Sequence, residues 1–245
     1  MKLKVIASSS SGNGYALEGK EETLLLEAGV PLSMVRKSVS DFRTIVGCLV
    51  SHRHGDHAKY IADYEKAGIR VYAPYDVWEH IDPQTAPYRR QLTLNNCETK
   101  YGIGHFHIIP VEANHDVPCF SFFIEHHEIG NLAFITDSHD FNYALDGVNH
   151  LMIECNWSEE LLTHAVFEGR TPLFVAKRVR ETHMGLHNAV EYIRDEVNMD
   201  TLREIVLLHL SHENSDPALF TDTMVNAFHK PTFVATNGLV VDLNK

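Results

Sequence analysis

The stretch Ser51-His52-Arg53-His54-Gly55-Asp56-His57 places four candidate metal ligands within six positions. Imidazole nitrogens and carboxylate oxygens together suit Zn or Mn. On extended backbone, side chains alternate, so His52 and His54 project to the same side. Gly55 allows a sharp turn, and Asp56 and His57 then open a segment that reads as a helix ending near Gly68. One strand-to-helix corner thus offers two imidazoles in one direction and a carboxylate with an imidazole in another. That arrangement suits two adjacent ions better than one closed structural site, which takes four ligands. The bland alternative is an exposed polar turn that happens to be rich in histidine.

The flanking elements fit such a corner. Thr44–Val50 is an almost purely apolar strand, as expected within a buried sheet. Lys2–Ala7, Tyr15–Glu18 and Thr23–Glu27 read as earlier strands, with a polar loop over Ser8–Gly14. A short helix is expected over Pro31–Ser40, then a strand over Arg70–Ala73 and a short helix over Tyr75–Ile81. From Asp82 to Gly104 the pattern is weak and reads as an exposed excursion. Strands follow at His105–Val111, Cys119–Glu125, Leu132–Thr136, Leu151–Asn156 and Glu204–Leu208, the Cys119–Glu125 and Leu132–Thr136 pair as a hairpin. Ser158 is placed to cap a helix over Glu159–Glu168. A further amphipathic helix spans Ala189–Val197, and Asp216-Pro217 starts one that runs to about Phe228. Thr232–Ala235 and Leu239–Leu243 are expected to close the chain as a hairpin around Asn237-Gly238. Strands and helices alternate in two successive runs without repeat, linker or compositional break. The expected fold is α/β, an αββα sandwich of two packed sheets flanked by helices, in one domain over residues 1–245.

The 245 residues suffice for a sizeable core. No apolar run approaches the ~20 residues that span a bilayer, and the start Met1–Ala7 is too short in its apolar part for a secretion signal. A cytoplasmic protein is expected. Cys48, Cys97, Cys119 and Cys155 form no Cys-x-x-Cys pair and read as idle or buried thiols. The net charge of −12, with 17 histidines counted neutral, argues against nucleic-acid binding through a broad basic surface. Two divalent cations would add +4 at one spot, so a locally positive site remains compatible with an acidic chain.

His52-Arg53-His54-Gly55-Asp56-His57 resembles the His-x-His-x-Asp-His signature of the metallo-β-lactamase superfamily. The resemblance implies the αββα fold and extends along nearly the whole chain. The polar loop Ser8–Gly14 and the strand ending at Glu27-Ala28-Gly29 resemble the superfamily's opening, with Glu27 where Asp is usual. The resemblance makes His115, after the strand His105–Val111, the third histidine ligand. It makes Asp137, after Leu132–Thr136, the bridging carboxylate, whose two oxygens can bind both ions. His209-Leu210-Ser211 resembles the setting of the last histidine ligand and points to His209 rather than His212. Glu154-Cys155-Asn156 resembles the Glu-x-Asn of the YycJ/WalJ branch, whose members include 5′-to-3′ DNA exonucleases. His183 resembles the non-ligand histidine that assists chemistry in nuclease-like members. The cations Lys177, Arg178 and Arg180 just before it are candidate phosphate contacts, against the plainer reading of a solvated face.

On this resemblance His52, His54 and His115 hold one metal, Asp56, His57 and His209 the second, and Asp137 both. Two ions ~3.5–4 Å apart can hold a hydroxide between them and stabilise an in-line displacement. Asp56 is also placed to orient the water. No Gly-x-Ser-x-Gly elbow supports a serine hydrolase. Two enzymes compete: a phosphodiesterase acting on DNA, and a hydrolase of a small ester, lactone or thioester, which the acidic surface favours. A non-enzymatic metal-binding protein is the third reading, and the full ligand set argues against it.

Overall fold

The computed structural model describes residues 1–94 and 100–244. In chain order its elements are β1 (Lys2–Ala7), β2 (Gly14–Glu18), β3 (Thr23–Leu26), α1 (Leu32–Ser38), β4 (Ile45–Leu49), α2 (Gly55–Ala58), α3 (Ile61–Lys66), β5 (Val71–Pro74), α4 (Tyr75–Glu79), β6 (Arg90–Leu92), β7 (Tyr101–Ile103), β8 (Phe106–Ala113) and β9 (Cys119–His126). Then come β10 (Gly130–Ile135), β11 (His150–Glu154), α5 (Glu159–Phe167), α6 (Leu173–Thr182), α7 (Leu186–Glu196), β12 (Glu204–Leu208), α8 (Pro217–Phe228), β13 (Thr232–Val234) and β14 (Val240–Asp242). Contacts divide the chain into two compact units, neither continuous in sequence. The first holds residues 1–112, 117–130 and 236–245, and the second 113–116 and 131–235.

In the first unit the strands run β14-β1-β2-β3-β4-β5-β6. β1, β2 and β3 are antiparallel, and β3 through β6 run parallel. The crossovers between parallel strands carry helices, as that geometry requires. Val35, Ile61, Tyr64, Val77 and Trp78 from α1, α3 and α4 pack with Ile6, Ala16, Leu25, Cys48 and Val71 from the strands. β7 and β8 pair antiparallel.

The second unit is built on β10 to β13, all parallel. β11 and β12 are buried at every position, which explains their continuous apolar runs. α5 and α6 pack through Leu162, Val166, Ala176 and Val179, in one cluster with Trp157. The expected caps are present: Ser158 accepts from Leu161 N, and Asp216 accepts from Ala218 N and Leu219 N ahead of Pro217.

Two local expectations are corrected. The helix after Gly55 is two short helices, α2 and α3, because Tyr60 leaves helical geometry at φ −107° and ψ 15°. The basic stretch at 177–180, for which the sequence gave no element, lies inside α6, whose apolar and cationic residues mix. Thr232–Val234 and Val240–Asp242 form no hairpin: β13 pairs in parallel with β12, and β14 pairs antiparallel with β1. Asn237-Gly238 does make a turn, with Gly238 at φ +84°, but the strands diverge to different partners. The excursion at 82–104 contributes β6 and β7, while the part over 95–99, including Cys97, lies outside the described residues. Cys48, Cys119 and Cys155 are buried.

Candidate metal centre

In the first unit, β4 ends at Leu49 and delivers His52, His54, Asp56 and His57 on the following corner. His52 and His57 are fully buried, and His54 and Asp56 are half-buried. The three rings converge, with the His52 centroid 4.7 Å from that of His54 and 4.2 Å from that of His57. Three imidazoles crowded this way, with a carboxylate beside them, are a donor set that fits a cation.

The ligand corner is held by neighbours. Ser51 Oγ lies 2.8 Å from His52 Nδ1, and Cys119 Sγ lies 3.6 Å from the same nitrogen. The Asn13 amide sits 3.0 Å from His57 Nε2, and Asp56 Oδ2 lies 3.4 Å from that nitrogen. Glu27 Oε2 accepts from Ser51 N at 3.2 Å and stands 3.5 Å from His57 Nδ1. Glu27, standing where the superfamily usually has Asp, thus bonds the corner's backbone at Ser51 and lies against His57. It takes a left-handed φ of +65°, a cost that buried contacts must offset. Gly29 is required by close approach: a Cβ there would lie 1.7 Å from Asp56 O.

In the second unit, five chemically capable side chains stand at strand or helix ends. His115 Nδ1 donates to Thr182 O at 2.8 Å, since a carbonyl only accepts. That fixes the tautomer and leaves the Nε2 lone pair for a metal. Nε2 lies 3.2 Å from Asp116 Oδ1 and 4.0 Å from Asp137 Oδ2. Asp137 is buried and takes a hydrogen bond from Thr136 Oγ1 at 3.0 Å. His209 Nδ1 lies 3.1 Å from Asp137 Oδ1 and 3.3 Å from Glu154 Oε1. His209 also adopts a left-handed φ of +54°. His212, the competing candidate, has a side chain 98% exposed and pairs with Glu213 instead.

Asp137, Glu154, His183 and His209 each offer a ligand atom within 4.8 Å of the others. Two carboxylates and two imidazoles that close together, almost all buried, also fit a cation. Glu154 is the residue that sequence reasoning missed as a functional group, having singled it out only as a branch marker. Its Oε1 lies 2.6 Å from His183 Nδ1, and its Oε2 accepts from Ser138 N and Met184 N. The available signal was a glutamate closing an otherwise apolar strand, where an unpaired charge is costly. Burial, the largest influence, would raise the Glu154 carboxyl, but the His183 charge together with the hydrogen bonds from His183 and His209 holds Glu154 below the ordinary range. Burial likewise disfavours His183 protonation, yet the Glu154 charge and hydrogen bond prevail and raise it. Asn156 completes the motif by donating to His209 O at 2.8 Å.

The candidate phosphate cations are on α6. Arg178 pairs with Asp116 at 3.3 Å, Arg180 with Glu159 at 2.6 Å, and Lys177 with Glu181 at 3.7 Å.

A family model described as a β-lactamase superfamily domain matches residues 26–210. The chain belongs to the metallo-β-lactamase superfamily. It is thereby a metal-dependent hydrolase. Among its relatives are the exodeoxyribonuclease YycJ of Bacillus anthracis, 26% identical over 88% of this chain and 84% of that one. The exodeoxyribonuclease WalJ of Streptococcus pneumoniae is 23% identical over 92% of this chain and 87% of that protein. The solved structure of the metallo-β-lactamase fold protein YhfI from Bacillus subtilis superposes with a TM-score of 0.74 at 17% identity, covering 98% of this chain and 99% of that one. At that identity the likeness shows the fold, the αββα sandwich expected from the sequence. Among the described residues no helix is long and apolar enough to cross a membrane.

Proposed function

We propose that the chain is a dinuclear phosphodiesterase that cuts DNA, working as a 5′-to-3′ exonuclease in the cytoplasm with residues 1–245 as one catalytic domain. The observation that carries this reading is His183, held by buried Glu154 beside Asp137 and His209. A proton-bearing imidazole next to a cluster of ligand type is what a leaving alkoxide needs. The names of the YycJ and WalJ relatives support DNA as substrate.

The proposed ligand set is His52, His54 and His115 for one ion, Asp56, His57 and His209 for the other, and Asp137 for both. Zn or Mn, once bound, would supply Lewis acidity and bring the pKa of water near 7. Asp56 orients the attacking water. His183 donates its proton to the leaving oxygen, and Glu154 fixes the ring and stabilises its protonated form. His115 is oriented by Thr182 O, His57 by Asn13 and Glu27. Lys177, Arg178 and Arg180 contact the backbone phosphates. Their present partners do not preclude this, because exposed ion pairs are worth only ~0.2–1 kcal/mol and exchange readily for phosphate.

The net charge of −12 favours the second reading, hydrolysis of a small ester, lactone or thioester. One experiment separates them. Purified protein loaded with Mn or Zn is incubated with 5′- and 3′-labelled DNA duplexes and single strands, with His54→Ala as control. Metal-dependent shortening from the 5′ end, absent in the variant, is expected. Intact DNA together with turnover of a lactone or thioester would overturn the nuclease reading.

A further inference from the structure

We propose that a cavity beside the ligand corner, between α4 and β6, receives a nucleobase of the strand being cut. This deepens the nuclease reading and rests on it. The cavity has a volume of about 350 Å³ and is lined by Tyr75, Trp78, Glu79, Arg89 and Gln91. That volume lies at the lower end of small-ligand sites.

The cavity is tied to the proposed metal corner by one contact. Arg53, between His52 and His54, pairs with Asp76 at 2.9 Å. Asp76 is the immediate neighbour of Tyr75, so this ion pair joins the ligand loop to the helix that forms the cavity wall. Stacked nucleotides advance only ~3.4 Å along a strand. A phosphate held at the corner therefore leaves the next few bases within reach of α4.

The lining chemistry matches a base rather than a bare phosphate or an apolar chain. Tyr75 is 57% exposed, an open aromatic face on a short helix otherwise anchored by buried Val77 and Trp78. Trp78 is fixed at the back by hydrogen bonds from Nε1 to Ala73 O and Arg90 O. Aromatic faces stack any base. Arg89 adds a planar cation that stacks on rings or pairs with phosphate. Gln91 and Glu79 supply the donor and acceptors that base edges use. Gln91 stands opposite Ala73 in the β5–β6 register, so the floor is regular strand rather than loop.

The test uses the full chain loaded with Mn and matched labelled single strands. One member of each pair is intact, and the other carries an abasic nucleotide at one of the first three positions. Loss of one stack corresponds to roughly tenfold in KM. Wild type is expected to show that tenfold ratio at one position. Tyr75→Ala should bring the ratio close to one, while Tyr75→Phe should retain it. The ratio is internal to each preparation, so a poorly folded variant lowers both rates without moving it. Equal KM for intact and abasic strands in wild type, or a full ratio in Tyr75→Ala, overturns the cavity assignment and leaves the nuclease reading standing. Failure of wild type to cut any strand while it hydrolyses a small ester overturns both.

Discussion

The two units assemble their chemistry in opposite ways. In the first, His52, His54, Asp56 and His57 come from one corner, and their positions follow from a strand end and a single turn. In the second, His115, Asp137, Glu154, His183 and His209 come from five separate segments, each closing or following a strand or helix. The corner's side chains are steadied by Ser51 of the corner itself and by Asn13, Glu27 and Gly29 from other segments. The dispersed set steadies itself, with Glu154 bonded to His183 and near His209, and Asn156 holding the His209 carbonyl. A contiguous motif survives errors in reading the fold. A dispersed set exists only when parallel strands end at one level.

On the proposed reading the corner supplies ligands, with Asp56 also orienting water, while the dispersed set mixes ligand and acid–base work, and substitutions can break that contrast. His54→Ala is expected to abolish turnover and lower bound metal, read by activity and metal analysis on one sample. Full turnover with full metal content would remove the corner from the site. His183→Ala should slow turnover by ~10²–10⁴-fold while metal content stays at the wild-type level. Metal loss there would make the dispersed set all ligand and erase the difference. Glu154→Gln is expected to cost ~10–100-fold, the usual effect of removing a partner that orients an active group. Gly29→Ala should destabilise by about 2–3 kcal/mol, because the new Cβ meets backbone, and thermal denaturation measures it.

The smallest effect concerns a histidine outside both sets. His126 is buried against Phe106 and hydrogen-bonded to Glu22. Burial, helped by His127, holds its pKa below the ordinary 6.5 despite the pull of Glu22. The folded state then binds fewer protons than the unfolded chain in the window below pH 6.5. This contribution to stability is full above 6.5 and is lost as pH falls through the lowered folded value. The melting temperature should decline over that window, and His126→Gln should flatten the decline.

Particular residues show how far the sequence reads. The apolar run into His52 was enough to place the corner, because a strand end and Gly55 leave the chain few options. Ser158 and Asp216-Pro217 marked helix starts for the same local reason. α6 was not legible, since its cations and apolar residues mix without a clean stripe and its packing on α5 is what stabilises it. The closing hairpin failed because a turn signal states only that the chain reverses locally. Which partner a strand finds is settled by long-range pairing, here β12 for β13 and β1 for β14.

The sequence by itself determined the ligand types, their density at the corner and the αββα class, because residue chemistry and periodicity are local properties. Only the tertiary structure decided that Glu154 lies against His183 and His209, that His209 lies beside Asp137 while His212 is exposed, and that Arg178 and Arg180 already hold carboxylate partners. These depend on which strand ends meet, and that is fixed by burial of whole faces rather than by any one segment.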